Sequence, residues 1–449
     1  MKYRFTIISI LLLILAIFQV SVAQNDIQSI QDAKSATKTI EANILQDSIM
    51  STANLSLDQL IEIAIHNNPG VNSAFYKWKS SVEKTGYIGT LPDPILMYGY
   101  FIENVETRVG PQNQKFSILQ KIPWFGTLGS QKDIAFEMSQ VNFQNYQSQL
   151  LQIIYQVKVS YYDLYYLQRE IEITQENLEL LTFWESIVRT KYQVDLVQHP
   201  DVIKAQVELG KLENRLISLQ DKLVPYKSKL RSLLNADSKQ ELMIPDSFIY
   251  QEDILVNEKI VPQILAHNPN LTAIKHLIAK EKSSERLAQK SSMPNFMVGV
   301  DYIETGEALN PSIDGSGKDP LIVSVGINLP LWFGKNSAQK KEAKANQKSA
   351  EYLLEDKKNQ LIVLAEEIIY YHNDALRKLQ LYRDGLIPKA EQLLNTVYAS
   401  YQSDKTDFLN LLDAQRQLLE FKLAMDKSIT DMVKRKAELD MLSGFDPSK

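Results

Sequence analysis

The chain is written twice. Tyr161-Tyr162 returns as Tyr370-Tyr371, Tyr192 as Tyr401 and Ala205-Gln206 as Ala414-Gln415, each 209 residues later. Around these anchors Lys191 to Leu209 lies over Ser400 to Leu418. Pro123-Trp124-Phe125-Gly126 recurs as Pro330-Leu331-Trp332-Phe333-Gly334, and Asn68-Pro69 as Asn268-Pro269. A copy of this size is far longer than the roughly 20–50 residues of a solenoid repeat. It implies two like halves, 55–240 and 241–449, each a large structural unit.

Composition removes several function classes. The net charge of −5 is spread along the chain with no basic block, which argues against nucleic acid as partner. There are no cysteines, so disulfides, thiolate metal sites and a cysteine nucleophile are excluded. Residues 1–23 read as a secretory signal: Lys2 and Arg4, the apolar run Ile7 to Phe18, then small residues at Ser21-Val22-Ala23. A polar stretch, 24–54, follows. No later segment approaches the roughly 18 consecutive apolar residues of a membrane helix. The expectation is an exported protein, either soluble outside the cytoplasm or an outer-membrane β-barrel.

Local patterning repeats in the two halves. Ser56 with Gln59 is a capping box for a helix with Leu57, Leu60, Ile61 and Ala64 on one face, ending near Asn68-Pro69. A second helix covers about 71–87. After Leu91-Pro-Asp-Pro94, period-2 alternation predicts a strand over 94–103, a turn region to about Asn113, and a second strand with Phe116, Ile118 and Ile122. The second half predicts strands from Phe296 to Tyr302 and from Leu321 to Leu329, around a Gly/Ser/Asp-rich loop at 305–319. Ser324, Gly326 and Asn328 fall on the polar or small face of the last strand.

Each Trp-Phe-Gly corner leads into a very long helix, Ser130 to about His199 and Lys335 to about Asp384, with apolar residues three and four apart as in a coiled coil. Return helices are expected at about 200–235 and 388–443. The turns at Tyr192–His199 and Tyr401–Asp407 join the long helices of each half. At the corners, Pro123 and Pro330 suit strand ends and Gly126 and Gly334 a sharp turn. Trp124, Phe125, Trp332 and Phe333 suit a bilayer–water boundary, or the core beside a turn.

Four strands of membrane length cannot close a barrel, and in a bilayer every backbone group must be paired. Three chains would supply twelve strands, which makes a trimer the first choice. The alternative is small soluble hairpins on a coiled-coil scaffold.

Taken together, the duplication, the run Leu57 to Pro69, the Pro-aromatic-Gly corners and Tyr401 through Leu418 resemble the TolC family of outer membrane efflux proteins, over about Leu55 to Gly444. The resemblance implies a mainly α fold with a small β portion: a trimeric 12-stranded barrel in the outer membrane, continuous with a periplasmic α-barrel of paired long helices. It implies a passive duct working with a periplasmic adaptor and an inner-membrane pump of RND type, with neither cofactor nor resident metal. The corner Lys121 to Gly126 is most similar to members serving heavy-metal pumps, although His-rich and Met-rich tracts are missing. Alternatives are a type I protein-secretion channel and a periplasmic scaffold or adaptor.

The resemblance also places the periplasmic tip at the two helix-joining turns, where Asp195 and Asp404 stand in for the family's usual Gly. Gate candidates are Asp407, Asn410 and Asp413 in the second half, with Asp201 and Lys204 at the matching places in the first. Three copies of a carboxylate around an axis would repel, bind cations or close through partner bonds; a solvated helix surface is the other reading.

A catalytic reading finds little. The histidines, His66, His199, His267, His276 and His372, have no zinc spacing. Ser81-Val-Glu-Lys84 and Lys84-Thr-Gly86 mimic β-lactamase fragments but overlap at Lys84.

Overall fold

A computed structural model describes residues 56–236 and 248–444. The expected signal segment and the polar stretch after it lie outside the described residues. The elements are α1 (Leu57–Asn67), α2 (Pro69–Tyr87), β1 (Ile95–Thr107), β2 (Gly110–Ile122), α3 (Thr127–Gln193), α4 (His199–Leu234), α5 (Asn257–His267) and α6 (Pro269–Lys290). Then come β3 (Phe296–Thr305), β4 (Leu321–Ile327), α7 (Phe333–Gln380), a π-turn (Leu381–Leu386), α8 (Ile387–Gln402) and α9 (Phe408–Ser443). The fold is mainly helical with one small sheet. Two compact units divide it: 76–143 with 273–355, and the described parts of 41–75, 144–272 and 356–449.

The first unit holds the sheet. Its four strands are antiparallel in the order β1-β2-β3-β4, so β1 and β4 are both edge strands. The first hairpin is longer than alternation predicts. Reversal needs only Arg108 and Val109, and residues 110–113, expected as turn, are already in the strand. Gly110 (φ +129) allows this, since a Cβ there would fall on the carbonyl of Gly306. At the other end β4 stops at Ile327, so Asn328 and Leu329 lie beyond the strand.

The second unit is built on helix pairing. The capping box forms as expected: Ser56 Oγ accepts the N–H of Gln59 at 3.3 Å, and Gln59 Oε1 accepts the N–H of Ser56 at 2.9 Å. Leu60, Ile61 and Ala64 are buried. The two Asn-Pro pairs do the same work twice. Asn68 Oδ1 accepts the N–H groups of Gly70 and Val71, while its Nδ2 donates to Leu233 C=O at the end of α4. Asn268 Oδ1 accepts from Asn270 and Leu271, and its Nδ2 donates to Leu442 C=O at the end of α9. Both are buried with their polar groups satisfied.

One expectation for this unit is corrected. The second-half return helix begins at Phe408, not near 388. Pro388 sits in the first turn of α8, and the chain keeps its direction to Gln402 before reversing.

Candidate functional site

The sheet has two chemically different faces. Reading across neighbouring strands, Leu96, Ile118, Val300 and Val323 form one row, and Tyr98, Phe116, Tyr302 and Leu321 the next. Val298 and Val325 continue it. Much of this apolar face is open; Val325 is 76% exposed and Leu96 72%. A continuous apolar patch of this kind marks a surface that meets something other than water. The opposite face carries Lys115, Ser117, Gly299, Asp301, Ser324 and Gly326 alongside Met97, Leu119 and Ile322. Ser117 donates to the Asp301 carboxylate, and Lys115 pairs with it at 3.0 Å. Ser324 and Gly326 therefore share the polar or small face, as alternation predicts. Asn328 has a different job: its side chain accepts the N–H of Asn295, and its own N–H donates to Asn295 C=O at 3.1 Å.

The corners differ from each other. Gly126 has φ +75, and its carbonyl accepts Lys290 Nζ at 2.9 Å, so the first corner is a left-handed turn closed by a lysine. Pro123 follows the end of β2. Trp124 stacks on Phe296 at 5.8 Å, and its N–H donates to Asn295 Oδ1. Phe125 is exposed. Pro330 and Trp332 precede α7, but Phe333 and Gly334 are its first residues, and a Cβ on Gly334 would meet nothing within 4 Å. The expected sharp turn at Gly334 is thus absent, because the second corner is made by the segment before it. Trp332 and Phe333 are both exposed.

In the second unit α3, α4, α8 and α9 meet around Leu181, Trp184, Val188, Val202, Tyr401, Phe408 and Leu411. The two turns that end α3 and α8 are copies. Leu196 N–H donates to Lys191 C=O at 2.9 Å and Asp195 N–H to Tyr192 C=O at 3.1 Å. Lys405 donates to Ser400 at 2.9 Å and Asp404 to Tyr401 at 3.2 Å. These are Schellman caps with an aspartate in the left-handed position, Asp195 at φ 60 and Asp404 at φ 57. A short polar side chain makes that conformation tolerable without glycine.

The gate candidates fall into distinct environments. Asp407 caps α9, its carboxylate accepting the N–H of Asn410 at 3.0 Å. Asn410 donates its side chain to Thr406 Oγ1. Asp413 is exposed and 3.5 Å from Arg416, whose guanidinium also holds Glu208. In the first half Asp201 and Lys204 pair with each other at 3.3 Å.

Sequence reading missed the group that joins the two turns. Lys191 Nζ lies 2.6 Å from the Asp404 carboxylate and 3.0 Å from Tyr401 C=O, with Nζ 4.6 Å from the centre of the Tyr401 ring. The Tyr401 hydroxyl is pushed up to about 12, first by burial, then by Asp201 and Asp404. Gln415, also buried, reaches Asn177 Oδ1 at 2.8 Å.

Among the described residues no three His, Asp or Glu side chains come together as a metal site, and no helix is long and apolar enough to cross a membrane. The lactamase-like residues lie on the single helix α2, with Ser81 Oγ donating to Trp78 C=O.

Residues 260–444 match the model of the family described as outer membrane efflux protein. This stretch is similar to the outer membrane efflux proteins. Toxin and drug export protein A of Aggregatibacter actinomycetemcomitans is 24% identical over 212 residues, 46% of this chain and 45% of that protein. The matches thus span less than half the length of the curated relatives. The structure of the outer membrane protein VceC from Vibrio cholerae is similar over 86% of this chain and 96% of that one, with a TM-score of 0.73 and 17% identity. The MtrE outer membrane channel of Neisseria gonorrhoeae, in its open state, is similar over 89% and 93%, with a TM-score of 0.71 and 16% identity. The fold is that of these channels. The family match and these neighbours support the expected outer membrane localisation, with the helical part in the periplasm.

Proposed function

We propose that this protein is the outer membrane channel of a tripartite efflux system, a passive trimeric duct that receives substrate from an inner-membrane pump of RND type through a periplasmic adaptor. The observation that carries this reading is the sheet. It has an open apolar face, a polar and small opposite face, and unpaired edges at β1 and β4. Among the described residues of one chain both edges are without partners, which hydrocarbon does not tolerate. Three chains joined β4 to β1 give twelve strands, with lipid against Leu96, Ile118 and Val323 and a watery lumen lined by Lys115, Asp301, Ser324 and Gly326. On this reading Trp332 and Phe333 sit at the bilayer boundary and the paired turns form the periplasmic tip, with Asp404, Asp407 and Asp413 as its acidic groups. Each half, 55–240 and 241–449, supplies one pair of strands and one pair of long helices.

The test is cross-linking at the edges combined with pore recording. Cysteines placed at Met97 in β1 and Ile322 in β4, which share one face of the sheet, become the chain's sole thiols. Oxidation should yield covalent trimers from outer-membrane fractions, and purified protein should insert into planar bilayers with discrete conductance steps. A protein that stays soluble without detergent and forms no pores would leave the periplasmic scaffold reading in its place. The relative's name, toxin and drug export, supports protein secretion as a second cargo class. Loss of drug or metal tolerance on deletion, set against loss of a secreted protein, separates the two.

A further inference from the structure

The second-half long helix is interrupted where its first-half counterpart is not. Between α7 and α8, Leu381–Leu386 is a π-turn, with Ile387 N–H bonded back to Tyr382 C=O. The sequence accounts for it. Pro388 has no N–H and would press on the carbonyl of Asp384 in a regular α-turn, and Gly385 weakens the helix beside it. A wider turn relieves the conflict, and such turns recur at functional positions. In the first half α3 runs unbroken from Thr127 to Gln193, with Glu179 at the place of Pro388 by the 209-residue offset.

The π-turn is gripped from outside by an extended strap, 248–256. Arg383 extends two guanidinium nitrogens to the two carboxylate oxygens of Glu252, the longer contact at 3.3 Å, and also holds Asp384 at 2.8 and 3.1 Å. The strap itself is fixed to α7. Asn373 Oδ1 accepts Leu255 N–H at 3.0 Å, and its Nδ2 donates to Leu255 C=O at 2.8 Å. Phe248 packs on the rings of Tyr162 and Tyr165 at 5.0 and 4.7 Å. The strap thus runs from a rigid anchor on α7 to the turn at which α8 departs. The far end of α8 carries Asp404, held by Lys191.

We propose that Leu381–Leu386 is a hinge for α8, and that the Arg383–Glu252 clasp sets its resting angle. This deepens the channel reading and rests on it for the tip's role alone.

The cysteine-free chain permits a direct test. Spin labels on Val194→Cys and Ser403→Cys report the distance between the two turns in the full-length protein by pulsed electron resonance. Arg383→Ala and Glu252→Gln should each raise the longer-distance population by about two- to fivefold, the scale of a partly exposed bidentate ion pair. The swap Glu252→Arg/Arg383→Glu should return the distribution toward the parent. Gly385→Ala with Pro388→Ala should narrow it. Unchanged distributions in both single variants, or a swap no closer to the parent than the single variants, would overturn the hinge. Glu252→Gln is nearly isosteric and keeps the test alive if Arg383→Ala fails to fold. Absence of pores from the parent would count against the channel reading, while the distance measurement still decides the hinge.

Discussion

Lys191 and Asp404 are 213 residues apart in sequence and 2.6 Å apart in the fold. The lysine leaves the last turn of α3 and closes on the left-handed residue that ends α8. Asp404 is largely exposed, so screening limits the pair, but the lysine is mostly covered and also holds Tyr401 C=O and its ring. Lys191→Met keeps the aliphatic stem and removes the charge; Asp404→Asn keeps a residue tolerant of positive φ. Each should cost about 0.5–1 kcal/mol, and a double-mutant cycle should show coupling of about 0.5 kcal/mol or more. Strict additivity in urea titrations would mean the contact contributes nothing.

The two corner glycines should respond oppositely. Gly126 combines φ +75 with a Cβ position 2.5 Å from Lys290 Nζ, so Gly126→Ala meets both backbone strain and a displaced lysine. A loss of about 1–2 kcal/mol is expected. Gly334 is helical with open space around it, and Gly334→Ala should be neutral or gain up to about 1 kcal/mol. Thermal midpoints moving the same way in both variants would contradict the asymmetry.

That asymmetry marks the limit of what the sequence conveys. The duplication, the helix–helix–strand–strand order and the two aspartate turns are legible because they are local: each rests on a period, a cap or a backbone preference within a few residues. Asp195 and Asp404 stand where the resembled family has Gly, and the structure puts both in the left-handed region. What escapes is pairing between residues far apart in sequence. Lys191 with Asp404, Gln415 with Asn177 and Arg383 with Glu252 leave no spacing signal, because more than 130 residues separate each pair. Repetition also misled where the copies diverge. Gly334 resembles Gly126 in its motif yet is helical, whereas the return helix at Phe408 does follow the 209-residue offset from His199.

Burial of charge gives a pH-dependent prediction. Asp426 is 4% exposed on α9, and burial pushes its carboxyl above the ordinary range while Arg169, at 3.4 Å, pulls it back. Arg169→Leu strands the carboxylate and should cost roughly 3–5 kcal/mol near neutral pH. A carboxyl raised in the folded state takes up its proton before the unfolded chain does. The variant's deficit should therefore be fully felt above the raised folded value and shrink as pH falls through it toward the unfolded value near 3.8. Asp426→Asn should rescue most of the loss. A deficit constant from about pH 7 to about pH 4 would show that Arg169 acts through packing rather than charge.

Charge at the tip needs a substitution that spares the helix. Asp407 is the N-cap of α9, so Asp407→Ala removes a cap and should cost about 1 kcal/mol whatever the pore does. Asparagine caps equally well and is neutral. Asp413 makes one long contact, with Arg416, and tolerates the same change. In planar bilayers, Asp407→Asn/Asp413→Asn should keep the parent's thermal midpoint and lose most of its cation preference, since carboxylates repeated around an axis concentrate cations in a narrow passage. An intact pore with unchanged selectivity would move the charge filter to the sheet, where Lys115 and Asp301 share the polar face. Lys115→Gln would then be the variant that alters selectivity, because it leaves Asp301 with Ser117 alone as its partner.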